Sequence, residues 1–224
     1  MKLSVVIPVL NEAARLPETL AQQAGMRARG VEVIDVDGGS HDDSVAIART
    51  AGVETLCAEP GRARQMNAGA ARATGDALLF LHADTTLPPR ADAIVREALA
   101  GSRHAWGRFD VIIEGRPWML RVVAAMMNLR SRLTGIATGD QAMFMTRAAF
   151  DAVGGFPDQP LMEDIELSRR LLNLSAPACV HHKVCASGRR WEARGVWHTI
   201  TLMWRLRWAY WRGTPPDELA RAYR

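Results

Sequence analysis

Ala77-Leu78-Leu79-Phe80-Leu81-His82-Ala83-Asp84-Thr85 is the stretch whose reading decides the fold. A short, uninterrupted apolar run reads as a strand buried on both faces of a parallel sheet. A carboxylate at its end then lands on the carboxyl edge of that sheet, where open α/β folds bind ligands. Asp84 either turns the chain before Pro88 or serves a ligand there.

The residues upstream repeat one pattern. Leu3 to Leu10 is β-branched and apolar on both faces, and Pro8 marks its exit. Asn11 is placed to cap a helix from Glu12 to about Met26, with Leu16 and Leu20 at helical spacing. Val31 to Val36 is a second strand, Asp37 to Asp42 a turn whose Ser40 or Asp42 can cap a helix through Ala51, and Val53 to Ala58 a third strand. Arg62 to Thr74 follows as helix, with Gly75 at its C-terminal cap. Strands alternating with helices imply a parallel, doubly wound sheet in the first 85 residues.

Downstream, Arg90 to Ala100 reads as helix and Arg108 to Ile113 as strand. After Pro117 come a Met-rich helix (Trp118 to Leu133), a loop (Gly135 to Asp140) and a short strand (Gln141 to Thr146). A short helix then ends at Gly154-Gly155-Phe156, and another opens at Met162-Glu163-Asp164. Ala178 to Ala186 is a late strand, Arg189-Arg190-Trp191 a basic loop, and Gly195 to Trp211 an amphipathic helix.

The chain has 224 residues, 48% of them apolar, enough for one large core. Its net charge is +4, and Arg far outnumbers Lys, which suits phosphates or an anionic membrane better than sequence-specific nucleic-acid reading. The three cysteines have no framework spacing, so a reduced, cytoplasmic setting is expected. The N-terminus runs straight into a strand and reads as no signal peptide, and the apolar stretches are too interrupted to span a bilayer.

Chemistry is narrowed by what is missing. No Gly-x-Gly-x-x-Gly follows the first strand and no Walker pattern occurs, so the phosphates of a nucleotide would be held otherwise. Mg²⁺ or Mn²⁺ on one carboxylate plus substrate phosphate is the natural substitute, and Asp84 is placed for it. Arg62, Arg64, Arg189 and Arg190 are candidate phosphate partners, with Arg62 and Arg190 preferred. Asp140 and Gln141 either shape a turn or fix ligand hydroxyls. Glu163 and Asp164 either complement a helix dipole or supply one carboxylate as a general base. Cys179, His181, His182 and Cys185 match no zinc spacing; strand alternation puts Cys179, His181 and Cys185 on one face.

Ser4 to Glu12, Val36 to Asp42, His82-Ala83-Asp84 and Glu163-Asp164 resemble, in order and spacing, the family 2 inverting glycosyltransferases with the GT-A fold. Gly61 to Ala70, Gly139 to Phe144, Arg189 to Glu192 and Leu219 to Tyr223 are most similar to a compact bacterial subgroup found beside radical-SAM and selenium-linked genes. The resemblance implies a single GT-A domain over residues 1–224, an α/β fold with a mostly parallel sheet and helices on both faces. It divides into a nucleotide-sugar half (1–115), an acceptor and catalytic half (116–194) and C-terminal amphipathic helices (195–224).

It also implies roles. Pro8, Asn11, Glu12 and Asp37 would surround the base and ribose of a nucleoside diphosphate sugar, UDP-linked in the first expectation. Gly61, Arg62, Asn67, His82, Ala83, Asp140, Gln141, Arg189 and Arg190 would complete donor binding. Asp84 would hold Mg²⁺ or Mn²⁺, with His82 a weaker ligand or a phosphate donor, and a late histidine a further ligand. Asp164 would be the general base, Glu163 the second choice. The acceptor is a hydroxyl on a small molecule or a lipid-linked molecule. The helix with Trp197, Trp204, Trp208 and Trp211 among arginines suits peripheral contact on the inner membrane face or simple core packing. The helix around Met119, Met126 and Met127 suits an acceptor lid or a homodimer face. The alternatives are a nucleotidyltransferase on a related fold and a non-catalytic, membrane-associated nucleotide-sugar-binding module.

Overall fold

Strand β1 (Leu3–Val9) is the hub of the first half of the sheet. It pairs in parallel with β2 (Glu32–Asp37) on one side and β4 (Ala77–Phe80) on the other, and β3 (Glu54–Cys57) lies parallel outside β2. A computed structural model describes residues 1–101 and 103–223. The side chains of β1 explain why it is apolar but for Ser4. Leu3, Val5, Ile7 and Val9 enter one core with Leu16 and Leu20 of α1 (Leu16–Ala28), Ala48 of α2 (Ser44–Thr50) and Val95 of α4 (Ala91–Ala98). Val6 enters the other, with Ile34, Val36 and Ala63, Met66 and Ala70 of α3 (Arg62–Arg72). Alternate residues thus feed two cores, one on each face. A Cβ at Gly69 would lie 2.4 Å from Val6 Cγ1, so α3 rests directly on the sheet only because position 69 has none.

The second half extends the same sheet. β7 (Met143–Thr146) is antiparallel to both β4 and β6 (Trp106–Glu114), and β8 (Ala178–Ser187) is parallel to β6. The two-residue strand β5 (Thr85–Thr86) closes the far edge antiparallel to β8, giving the order β3-β2-β1-β4-β7-β6-β8-β5. Helix α5 (Met119–Thr134) is bound to β6 by the Asn128 side chain, which accepts from the Val111 amide and donates to its carbonyl, both at 2.9 Å. α6 (Arg147–Ala152), α7 (Glu163–Leu172), α8 (Arg189–Arg194), α9 (Val196–Trp211) and α10 (Pro216–Tyr223) complete the described chain, in which no helix is long and apolar enough to cross a membrane.

Local readings are corrected in several places. Asn11 does not cap α1, which begins at Leu16; its φ is +54°, and its side chain accepts from the His41 amide instead. The α2 segment starts at Ser44, where Asp42 accepts from both the Ser44 amide and hydroxyl. Gly75 does not cap α3, whose cap residue is Ala73; the Gly75 amide donates to Ser4 Oγ. Arg189 to Trp191 is helical rather than loop. The β6–β8 register shifts between Phe109 and Asp110, leaving His181 and His182 outside the pairing: Cys179 and Cys185 keep one face, opposite Arg108 and Ile112, while His181 meets Arg132 and Asp110.

Candidate functional site

The carboxyl edge of the sheet is built from paired loops. Where β1 ends, the Asn11 amide donates to Ser40 Oγ, the Glu12 amide to Ser44 Oγ and the Ala13 amide to Asp42 Oδ2, so the loops after β1 and β2 form one surface. Gln65 of α3 clasps it from below, donating from Nε2 to the carbonyls of Val9 and Val36, each at 2.8 Å. Asp37 is buried and accepts from the amides of Gly39 and Ser40, which fixes the turn. Pro8, half-buried, lies one position before the end of β1.

Asp84 stands at the next loop, half-exposed. The pairing of Thr85 with Ala186 and of Thr86 with Cys185 brings it beside the residues that follow β8. Arg189 Nη2 lies 3.6 Å from Asp84 Oδ2 and 3.2 Å from Glu12 Oε2, tying the two ends of the edge together. Arg190 stacks its guanidinium 4.7 Å from the ring centre of Tyr223. Burial and the neighbouring charges of Arg62 and Arg194 lower the Arg190 pKa against the pull of Asp140 and Asp84.

The other wall comes from the short 3-10 turn Gly139–Gln141 and the start of α7. Asp164 Oδ2 accepts from the Gly139 amide at 2.9 Å. Burial, then the charge of Glu163, pushes the Asp164 pKa up to about 6, against the Gly139 and Ile165 amides and Arg62. Glu163 is buried, with Oε1 3.5 Å from Arg62 Nη1. His82 Nδ1 lies 3.2 Å from Asp140 Oδ1, and burial of Asp140 is outweighed by His82, Arg62 and Arg190, so its pKa falls below the carboxylate norm. Arg62 is the meeting point. Burial opposes its charge, but Glu163, Asp140, Asp164 and Asp84 together raise its pKa.

Expected site residues therefore sort by geometry. Glu12, Arg62, Asp84, Asp140, Glu163, Asp164, Arg189 and Arg190 are linked by these ion pairs and by their mutual charge interactions, with Gly61 as the residue before α3. Arg64 is directed away, to Glu59 and Asp158. Asn67 ties α3 to the chain at Phe156, donating to its carbonyl and accepting from its amide. Gln141 is fully buried, its oxygen taken by Thr138 and its nitrogen directed to Asn128, and Ala83 is in the core with its carbonyl bound by Thr19. His82 is turned with Nδ1 on Asp140 and Nε2 buried without a partner, where a Cβ on Gly139 would come within 2.4 Å. Two residues went unmarked in the sequence. Gln65 lies within the Gly61 to Ala70 motif but has no expected role there, and Arg130, whose Nε and Nη2 are buried and unpartnered, looks in sequence like any helical arginine.

Residues 4–153 match the family described as Glycosyl transferase family 2. The chain belongs to that family. It is 28% identical over 228 residues to an undecaprenyl-phosphate 4-deoxy-4-formamido-L-arabinose transferase of Aeromonas hydrophila, covering 91% of this chain and 66% of that protein. The Sodalis glossinidius protein of the same description is 32% identical over 157 residues, 62% of this chain and 46% of its own length. The chain thus spans about half to two thirds of the length of these curated relatives. Among solved structures, the mannosyltransferase PcManGT of Pyrobaculum calidifontis with GDP-Man and Mn²⁺ superposes with TM-score 0.64 at 21% identity, over 99% of this chain and 68% of that one. S. aureus TarS with UDP-GlcNAc gives 0.66 at 20% identity, over 84% and 58%. These likenesses establish the α/β fold as GT-A.

Proposed function

We propose that this family member moves a sugar from a nucleoside diphosphate sugar, UDP-linked in the first instance, to an acceptor hydroxyl with inversion, and that it lies in the compact subgroup its motifs resemble. The observation that carries the reading is the convergence on Arg62 of Asp84, Asp140, Glu163 and Asp164. One guanidinium suited to a diphosphate thus feels the charge of both a carboxylate suited to a cation and one suited to a proton.

Asp84 is a half-exposed carboxylate, and among the described residues no three His, Cys, Asp or Glu side chains cluster as metal ligands. That donor set fits Mg²⁺ or Mn²⁺, which bind through one or two carboxylates and complete their shell with phosphate oxygens and water. The cation would neutralise diphosphate charge. Arg62, Arg189 and Arg190 pair with phosphate oxygens and stabilise the charge that grows on the leaving group. Glu12 and Asp37 line the base and ribose end.

Asp164 takes the acceptor proton. The acceptor oxygen forms its bond to the anomeric carbon as the bond from that carbon to the diphosphate breaks, and the electron pair leaves with the nucleoside diphosphate. A pKa of about 6 leaves Asp164 ionised at neutral pH yet basic enough to accept. Glu163, held by Arg62, sets the field around it.

Relatives named for undecaprenyl phosphate support a lipid-linked acceptor. The same reading places the protein in the cytoplasm, at the inner membrane face, with the exposed Trp197, Trp204, Trp208 and Trp211 of α9 against the bilayer. Incubation with UDP- and GDP-sugars and Mn²⁺ tests the activity: slow release of nucleoside diphosphate is expected. Pyrophosphate release would make it a nucleotidyltransferase, and binding without turnover a sugar-nucleotide-binding module.

A further inference from the structure

Arg190 has an aromatic partner where the other arginines of the site have acidic ones. Among the described residues Arg62 pairs with Glu163 and Arg189 with Glu12 and Asp84, whereas Arg190 makes no ion pair and lays its guanidinium 4.7 Å from the centre of the Tyr223 ring. Glu192, the acid of its own helix, is turned to the Arg116 amide at 2.7 Å. The difference is chemical. A carboxylate occupies the N–H edge of a guanidinium, the edge that forks onto a phosphate, while an aromatic ring takes the flat face and leaves that edge free. Arg190 follows directly on Arg189, whose Nη2 lies 3.6 Å from Asp84, in the first turn of α8.

Tyr223 is itself held in two ways. Arg194, one turn on from Arg190, donates from Nη1 to the Tyr223 carbonyl at 2.7 Å. The Tyr223 side chain also packs against a small core in which Leu219 of α10 and Leu206 of α9 are buried with Met162, the residue before Glu163. Helix α10 thereby straps α8 to the start of α7, joining the two walls of the site. Neither hold needs the ring: the carbonyl belongs to the backbone, and Leu219 is the buried anchor.

We propose that Tyr223 is a positioning residue, whose ring holds the Arg190 guanidinium by its face and keeps its N–H edge free for the diphosphate of the sugar nucleotide. This rests on the reading of the chain as a glycosyl transferase, and it gives a purpose to the Leu219 to Tyr223 pattern.

Titration of UDP, GDP and their nucleosides into the full chain with Mn²⁺ tests it. The variants are Tyr223→Leu, Tyr223→Phe, Arg190→Gln and the double variant Tyr223→Leu with Arg190→Gln. In Tyr223→Leu the better-bound diphosphate should lose about tenfold in affinity and its nucleoside nothing, because only the phosphates meet Arg190. Tyr223→Phe keeps the ring face and should restore wild-type affinity. The double variant should bind no more weakly than Arg190→Gln alone, since Tyr223 acts through that arginine.

Unchanged diphosphate affinity in Tyr223→Leu, an equal loss for diphosphate and nucleoside, no rescue by Tyr223→Phe, or losses that add in the double variant would each overturn the proposal. A wild type that releases nucleoside diphosphate from a sugar nucleotide yet shows one of those results loses only this inference. A wild type that binds neither diphosphate and hydrolyses no sugar nucleotide loses the function on which it rests.

Discussion

Arg189 Nη2 sits 3.6 Å from Asp84 Oδ2 while also reaching Glu12 Oε2 at 3.2 Å. The guanidinium thus neutralises the carboxylate expected to hold a cation. Its position follows from backbone pairing, since β5 on β8 brings Asp84, the residue before β5, to the residues after β8. Cation and arginine compete for one carboxylate, whereas a diphosphate gives the arginine a new partner.

Arg189→Ala should therefore tighten binding of Mn²⁺ alone and weaken binding of a nucleoside diphosphate by about tenfold, the loss of one charge-assisted pair. Calorimetric titration of each ligand checks both signs. A loss of both affinities would mean that Arg189 positions Asp84 rather than competing for it.

Much of this edge was legible because strand ends announce themselves. Asp84 and Asp37 follow apolar runs that can only be buried strands, and a carboxylate there has few places to point. Asn11 was misread because its partner, His41, is 30 residues away, and a local capping rule cannot see a loop-to-loop bond. Asn67 and Gln141 fit a binding motif by type, but tertiary packing spends their amides on Phe156, Thr138 and Asn128. Arg130 is the reverse case. Its Nε and Nη2 are buried without a partner, which no helical pattern in the sequence reveals.

Gly139→Ala tests the second wall. The new Cβ would come within 2.4 Å of His82 Nε2, forcing the imidazole and with it Asp140 to shift. Because the Gly139 amide also holds Asp164, turnover should fall by more than tenfold while the melting temperature drops only by the few degrees typical of modest overpacking, about 1–3 kcal/mol. A full-activity variant would separate His82 from the site.

Asp35 gives a pH effect outside the site. It is buried with both oxygens unpartnered, and burial, only slightly relieved by Arg27, raises its pKa to about 7. The folded state then holds a proton that the unfolded chain loses near pH 4. Stability is therefore full in acid and falls as pH rises from about 4 to 7, by on the order of 4 kcal/mol at most. Asp35→Asn should flatten this window and raise the unfolding midpoint at pH 8, measured by denaturant melts at pH 5 and pH 8.

The neighbours of Asp164 decide which acid is the base. Burial and the Glu163 charge raise its pKa to about 6, and Arg62 opposes them. Transfer by the wild type should rise through pH 6 and level above it, and Asp164→Asn should lose about 10²- to 10⁴-fold. Glu163→Gln removes a negative neighbour, so the midpoint should move to lower pH with turnover largely kept at pH 8. Arg62→Met removes a positive one and should move it higher, along with weaker donor binding. If Glu163 were the base instead, Glu163→Gln would abolish transfer at every pH and Asp164→Asn would only displace the profile. The two pH–rate curves are opposite in kind, so one pair of variants assigns the proton.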